Sequence, residues 1–179
     1  MKSCQHLKTG FSPIAAPDTR ILVLGSMPGE RSLQMQQYYA HPANYFWKFM
    51  CQALELDTGT SYQIRIQALK KAGIALWDVL KHCERQGSLD SDIKSQSEKA
   101  NDIAEFLYRH QQITRICFNG QKAAAAFRKH ILKAAPELEK DFEMLTLPST
   151  SPANASQSVA GKYAIWLEAV WKASICRDG

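Results

Sequence analysis

The sequence predicts an α/β fold with three layers, α/β/α, around a central, mainly parallel four-stranded sheet. Two observations carry the prediction. Four short apolar, β-rich runs are spaced along the chain, and helical patterns fill the intervals between them. Strands alternating with helices build parallel sheets covered on both faces. A third observation sets the number of domains: the 179 residues contain no internal repeat, low-complexity tract or interdomain linker, so one domain over 1–179 is expected, with residues 1–8 a loosely ordered N-terminus.

The elements follow in order. Arg20–Leu24 is apolar and β-rich and meets Gly25. The helix expected immediately afterwards is replaced by a long stretch, GSMPGERSLQMQQYYAHPANYFW, rich in Gly, Pro, Gln and aromatic residues. Tyr45–Leu54 and Tyr62–Lys71 carry helical patterns. Gly73–Leu80 (GIALWDVL) reads as the second strand and Ser97–Arg109 as the next helix. Thr114–Phe118 runs into Asn119-Gly120, and Gln121–Lys133 is again helical. Phe142–Leu147 runs into Pro148-Ser149, and Tyr163–Ala173 closes the pattern. In open parallel sheets the ligand site lies outside the carboxyl ends of the strands. The informative positions are therefore Gly25 onward, Asp78 onward, Asn119-Gly120, and Pro148 onward.

Composition removes several classes of function. A hydrophobic fraction of 45% suits a protein with a real core. No apolar run approaches the ~20 residues that span a bilayer, and the N-terminus lacks a signal-peptide segment, so a soluble cytoplasmic protein without membrane contact is expected. The cysteines, Cys4, Cys51, Cys83, Cys117 and Cys176, are widely separated. That spacing argues against a zinc site, an iron–sulfur cluster or a disulfide framework. Net charge is +5 and the isoelectric point about 9.0, compatible with nucleic acid, although the basic residues are scattered without a run.

Three loops carry chemistry. In Gly25-Ser26-Met27-Pro28-Gly29, the glycines and proline make a tight turn whose backbone can approach an anion or a flat ligand closely; the plainer reading is an ordinary strand–helix turn. It lacks the Lys-Ser/Thr ending of a P-loop. Further on, Tyr39 or Phe46 could offer a flat face for stacking, and Asn44 carries donors and acceptors that could orient water or read a base edge. Phe46 and Trp47 also fit the buried face of a helix, and Tyr38 fits packing. Asn119 at a strand end could read a ligand edge or cap the next helix. Ser149, Thr150 and Ser151 could donate to phosphate oxygens, or form a plain Ser/Pro loop. The loops look poor in acid/base groups, with Glu30 their one acid and no carboxylate pair. That suits a reaction whose leaving group departs largely by itself.

Taken together, Gly25-Ser26-Met27-Pro28-Gly29, Tyr38-Tyr39, Phe118-Asn119-Gly120 and Leu147-Pro148-Ser149-Thr150-Ser151-Pro152 resemble the motifs of the uracil-DNA glycosylase superfamily, in the right order over residues 9–173. Ala40–Trp47 is similar to the corresponding stretch of mismatch-specific uracil glycosylases. GSMPG combined with YYAHPANYFW looks most like the hypoxanthine (deoxyinosine) DNA glycosylase branch. The resemblance implies a monofunctional hydrolase of N-glycosyl bonds in base excision repair. Such an enzyme flips deaminated bases out of DNA, hypoxanthine first and uracil second, without a metal or organic cofactor. It implies that Gly25, Ser26, Met27, Tyr39 and Asn119 bind the base, with Tyr39 stacking and Asn119 reading its edge, and that Ser149, Thr150 and Ser151 engage DNA. Many superfamily members carry Asp or Asn where this chain has Met27, so the water-positioning role passes to Asn44. DNA is the expected partner, and the protein is expected to be a bacterial-type monomer held at the nucleoid through DNA. The rival expectations are a uracil or mismatch-specific glycosylase and a damaged-DNA-binding module weak in catalysis. An α/β small-molecule hydrolase would need a nucleophile or metal set that the motifs lack.

Overall fold

The computed structural model describes residues 7–155 and 157–172, apart from the side chain of residue 172. The expected N-terminal region divides there: residues 1–6 lie outside the described residues, while Leu7 and Lys8 are paired in strand β1 (Leu7–Thr9). The expected helix end at Ala173, together with Cys4 and Cys176, also lies outside them.

Four strands form the central parallel sheet: β2 (Ile21–Gly25), β3 (Ile74–Asp78), β6 (Arg115–Asn119) and β7 (Glu143–Leu147), in the order β3-β2-β6-β7. The four-stranded parallel sheet of the predicted three-layer fold is present. Alternate side chains of each strand enter opposite cores, as the pleat requires. Leu22, Leu24, Ala75, Trp77, Ile116 and Phe118 pack with helices α4 (Ile103–Arg109) and α5 (Gln121–Phe127). Ile21, Val23, Ile74, Leu76 and Cys117 pack with α2 (Phe46–Ala53), α3 (Tyr62–Lys71) and α7 (Val159–Trp166).

Register decides where the site forms. Gly25 lies opposite Asp78, and Asn119 opposite Leu147. The four strands thus end at nearly the same level. The chain leaves β2 to one side for β3 and returns to its other side for β6, so the topological switch falls at the carboxyl end of β2.

Several elements differ from the sequence expectation for local physical reasons. The run Gly73–Leu80 is not one strand. It breaks at Val79, whose N–H donates to the Gly25 carbonyl, while the Leu80 N–H donates to the Ser26 carbonyl. The chain then enters a second, antiparallel sheet in which β4 (Leu80–Glu84) lies between β1 and β5 (Lys99–Ala100). After a 3₁₀ turn at Ser95–Ser97, pairing of β5 with β4 holds Lys99 and Ala100 extended, and the helix starts only at Ile103 behind its Asp102 cap. The long exit from β2 contains a short helix, α1 (Glu30–Met35), ended by Gln36 in the left-handed region. The chain also forms α6 (Leu138–Asp141) ahead of β7. Helices α5 and α7 continue as π-helical turns through Arg128–Leu132 and Leu167–Lys172.

Glu98, just before β5, receives Lys122, Lys129 and His130 from α5 and its π-helical continuation. Burial alone would raise its pKa, but these hydrogen bonds outweigh it and hold the carboxyl down at about 2. Among the described residues no helix is long and apolar enough to cross a membrane.

Candidate active site

A cavity of about 340 Å³ opens at the carboxyl edge of the sheet, at the switch point. Gly25, Ser26, Met27, Tyr39, Asn44, Asn119, Ser149, Thr150 and Ser151 all line it. Residues dispersed over some 125 positions of the sequence are therefore neighbours in space, because the strand ends coincide.

The turn after β2 forms one wall. Gly25 is required by close approach: a Cβ there would stand 2.3 Å from Asp78 Oδ1 and 3.1 Å from the Tyr39 hydroxyl. Ser26 Oγ donates to Asp90 Oδ1 at 2.7 Å. Met27 turns its side chain into the core, so it serves the cavity wall through its position in the turn. The buried Arg85 guanidinium donates to the Pro28 carbonyl and, through Nε, to the Gly87 carbonyl at 2.9 Å. The turn is thus braced by the loop after β4.

Tyr39 and Phe46, equivalent candidates in the sequence, are distinguished by the fold. Their rings stack with centroids 4.1 Å apart and planes 25° apart. Phe46 is fully buried and backs the pair, while Tyr39 borders the cavity. Tyr39 also holds φ 55°, a left-handed conformation uncommon for a bulky residue and found at sites where surrounding packing fixes it. Burial, reinforced by the Asp78 charge, raises its phenol far above the ordinary range, so the group stays a neutral hydroxyl. Tyr38 points away, buried, with its hydroxyl donating to the Ser12 carbonyl at 3.0 Å. Trp47 is core, its indole N–H donating to the Tyr38 carbonyl at 2.7 Å.

Asn44 Oδ1 accepts the Phe46 N–H at 2.9 Å, which fixes the side chain at the start of α2. Its amide N–H₂ and second oxygen lone pair are left to act on a ligand or water. Asn119 makes a two-point clamp across the cavity floor. Its Nδ2 donates to Thr150 Oγ1 at 2.8 Å, and its Oδ1 accepts the Thr150 N–H at 2.9 Å. Thr150 is 0% exposed; it was expected at the DNA surface, but its hydroxyl in the free protein is spent holding the loop. Asn119 keeps one N–H and one lone pair beyond the clamp. Gly120 follows at φ 93° with the Ser149 Cβ 3.0 Å from where its own Cβ would be, which restricts this position to glycine.

The Ser149–Ser151 loop rests on α7. Trp166 Nε1 donates to the Pro148 carbonyl at 2.9 Å. Lys162, 2% exposed, donates to the carbonyls of Ser149, at 3.1 Å, and Asn154. Ser149 and Ser151 remain partly exposed at the cavity mouth.

The expectation of a cavity without paired acids is overturned. Asp78 and Asp90 both line it. Asp78 is 3% exposed, and its Oδ2 has no hydrogen-bond partner among the described residues. Burial first, and the Asp90 charge second, push its carboxyl up to about 7 against the lowering influence of Arg85. A sequence signal for Asp78 exists: it is the one charged residue within the apolar run GIALWDVL. Asp90 and Lys162 carry no comparable signal, because long-range packing places them. Among the described residues no group of three or more His, Cys, Asp or Glu side chains could hold a metal ion. The thiols of Cys51, Cys83 and Cys117 are buried away from the cavity.

An aromatic plate, a fixed amide, an acid and a hydroxyl-bearing loop around one cleft can enclose a flat polar ligand and steady a water beside it. Comparisons with known proteins give the family of the chain. The profile of the uracil DNA glycosylase superfamily matches residues 12–173. A protein of Methanosarcina barkeri named hypoxanthine DNA glycosylase is 36% identical over 163 residues, 90% of this chain and 97% of the relative. A protein of the same name from Methanosarcina acetivorans is 36% identical over 149 residues, covering 83% and 89%. The solution NMR structure of a candidate uracil DNA glycosylase from Methanosarcina acetivorans superposes with a TM-score of 0.76 at 33% identity, over 94% of this chain and 98% of the other. On sequence and on fold, the chain belongs to the uracil DNA glycosylase superfamily.

Proposed function

We propose that this chain is a monofunctional DNA glycosylase of base excision repair that excises deaminated bases, hypoxanthine before uracil. The observation that supports this reading is the convergence of Tyr39, Asn44 and the Ser149–Ser151 loop on one cavity at the carboxyl edge of the sheet. The two relatives named hypoxanthine DNA glycosylase support the choice of first substrate.

The target base is inaccessible within the stack, so the nucleotide is extruded, at least cost where its pairing is already poor. The base stacks on Tyr39, whose far face is held rigid by Phe46. The free N–H of Asn119 and the turn at Ser26 and Met27 meet its edge. Ser149 and Ser151 engage the DNA, while Thr150 keeps the loop in place from within. As the C1′–N bond lengthens, positive charge grows on the sugar and negative charge on the base. Fixed dipoles around the base stabilise the latter. Asn44 holds the water that attacks C1′. The protein acts as a single-domain monomer in the cytoplasm, at the nucleoid through its DNA substrate, and its basic charge makes DNA binding salt-sensitive.

The test is a panel of duplexes containing deoxyinosine, deoxyuridine or deoxyxanthosine, incubated with purified protein and then treated with alkali. The expected result is alkali-dependent cleavage at each lesion, fastest at deoxyinosine. Fastest cleavage at deoxyuridine would favour the uracil glycosylase reading. No abasic product from any substrate would leave a damaged-DNA-binding module.

A further inference from the structure

The loop after β4 stands beside the turn after β2 and is fixed to it at two points. Arg85 and Ile93 bridge the two ends of this loop, and Ile93 is buried in the core. Within it, the Ser88 hydroxyl accepts the Glu30 N–H at 2.9 Å, and Asp90 Oδ1 accepts the Ser26 hydroxyl at 2.7 Å. Ser88 also packs over Gly29, where a Cβ would stand 3.6 Å from the serine hydroxyl. Leu89 lies between these two anchors in extended backbone, and its carbonyl accepts the Asp92 N–H at 3.1 Å. Its side chain is left free. Leu89 is 50% exposed, and among the large apolar side chains that the described residues leave exposed it is the one that lines the cavity. An exposed leucine alone is ordinary. One pinned on both sides to the wall of a ligand cavity, with its side chain in water at the mouth, has a place prepared for it in the complex.

We infer that Leu89 is the wedge that enters the base stack of duplex DNA and occupies the space left by the extruded nucleotide. The inference rests on the glycosylase reading above and names the side chain that keeps the base from returning. Extrusion leaves a gap in the stack, and closure of the neighbouring base pairs favours return of the nucleotide. An apolar side chain inserted between base steps holds such a gap open. A residue with that task must project from the cavity mouth, stand beside the path of the base, and sit on backbone that does not yield. Leu89 is exposed, lies at the rim, and is anchored to the same Gly25–Gly29 turn that forms one wall of the cavity. Wedge and cavity wall therefore keep their relative positions, so insertion of the one brings the base to the other.

The charge of the loop selects the base stack over the phosphate backbone. Residues 86–93 contain no Lys or Arg and carry Asp90 and Asp92, and carboxylates beside a phosphate would repel it. The apolar side chain is the group that suits DNA. The Ser149–Ser151 loop has the opposite make-up. Ser149 and Ser151 offer hydroxyls suited to phosphate oxygens, and Thr150 is turned inward by Asn119. The apolar residues that follow, Pro152 and Ala153, are exposed and line the cavity, but they carry only a ring closed on its own backbone and a methyl. The two loops thus divide the contacts, serines to the backbone and Leu89 to the stack.

The experiment compares wild type, Leu89→Ala, Leu89→Met and Pro152→Ala. One arm measures single-turnover excision of deoxyinosine from a duplex and from a single-stranded oligonucleotide of the same sequence. A second arm uses a duplex in which 2-aminopurine neighbours the cleavage-resistant 2′-fluoro analogue of deoxyinosine. At saturating protein its fluorescence rises as 2-aminopurine loses its stacking partner. In Leu89→Ala the ratio of duplex to single-strand rate should fall roughly 10–100-fold, the effect of withholding one buried leucine side chain, and the fluorescence rise should shrink with it. Leu89→Met keeps the reach and should restore most of both. Because Leu89 is exposed in the free protein, the melting temperature of its variants should stay within about 2 °C of wild type. An unchanged ratio in Leu89→Ala, or equal loss on both substrates, would overturn the assignment. So would a fall in the ratio that appears in Pro152→Ala and not in Leu89→Ala. If wild type excises neither substrate while the fluorescence rise is present and depends on Leu89, the glycosylase reading fails and the wedge stands. Excision by wild type with the same fluorescence rise in wild type and Leu89→Ala would overturn the wedge alone.

Discussion

Gly25→Ala perturbs the cavity at its tightest point. The φ of Gly25 lies outside the left-handed region, so alanine meets no backbone strain there and the effect comes from contact alone. The new methyl would stand 2.3 Å from Asp78 Oδ1 and 3.1 Å from the Tyr39 hydroxyl. An ordinary carbon–oxygen contact needs about 1 Å more than the first of these, so the carboxyl must move by about that much from its place on the cavity wall. Overpacking of this kind costs roughly 1–3 kcal/mol of stability. A displacement of about 1 Å at a reacting site can cost on the order of 10²-fold in rate. Single-turnover excision of deoxyinosine should fall by about that factor, with a melting temperature a few degrees lower. The double variant Gly25→Ala/Asp78→Ala removes the nearest clash, so its stability should exceed that of Gly25→Ala alone, a non-additivity expected of residues in contact. Excision within threefold of wild type in folded Gly25→Ala would refute the claim that Gly25, Asp78 and Tyr39 share one wall of the base site.

Three further outcomes follow from the same geometry. Asn44→Ala should reduce excision by about 10²–10³-fold while duplexes carrying an abasic-site analogue still bind; loss of the hydrogen bond from the Phe46 N–H lowers stability by only about 1 kcal/mol, and unchanged turnover would remove Asn44 from the reaction. Asn119→Ala strands the buried Thr150 N–H and hydroxyl, so it should cost roughly 2–4 kcal/mol and increase hydrogen exchange in the Ser149–Ser151 loop; unaltered exchange would show that the clamp does not hold the loop. Glu98 has its carboxyl held below the unfolded value, so its stabilising effect is present above about pH 4.5 and is lost as pH falls toward 2. Chemical denaturation at pH 7 should show Glu98→Gln less stable by roughly 2–3 kcal/mol, with the gap to wild type closing in acid.

The central sheet is legible because Ile21–Gly25, Arg115–Asn119 and Glu143–Leu147 are apolar runs bounded by turn residues, and their pairing needs no information beyond alternation with helices. The break at Val79 is hidden because apolar residues continue on both sides of it; only the Gly25 and Ser26 carbonyls determine where the chain turns. The helix expected from Ser97 yields to pairing of β5 with β4 and to the convergence of Lys122, Lys129 and His130 on Glu98, both long-range effects. The candidate site is legible where motifs are local, in the turn at Gly25–Gly29 and the stretch to Asn44. It is hidden where function depends on register. Asp78 faces the cavity because β3 ends level with β2, and Thr150 is drawn inward because Asn119 occupies both of its polar groups.

Release of a free base with the DNA backbone left intact is the event the whole account requires. Mass spectrometry of a deoxyinosine duplex incubated with the wild-type protein should find free hypoxanthine in equal amount to abasic strand, and the strand unbroken until alkali is added. Finding intact deoxyinosine and no free base after prolonged incubation with excess protein would contradict the account.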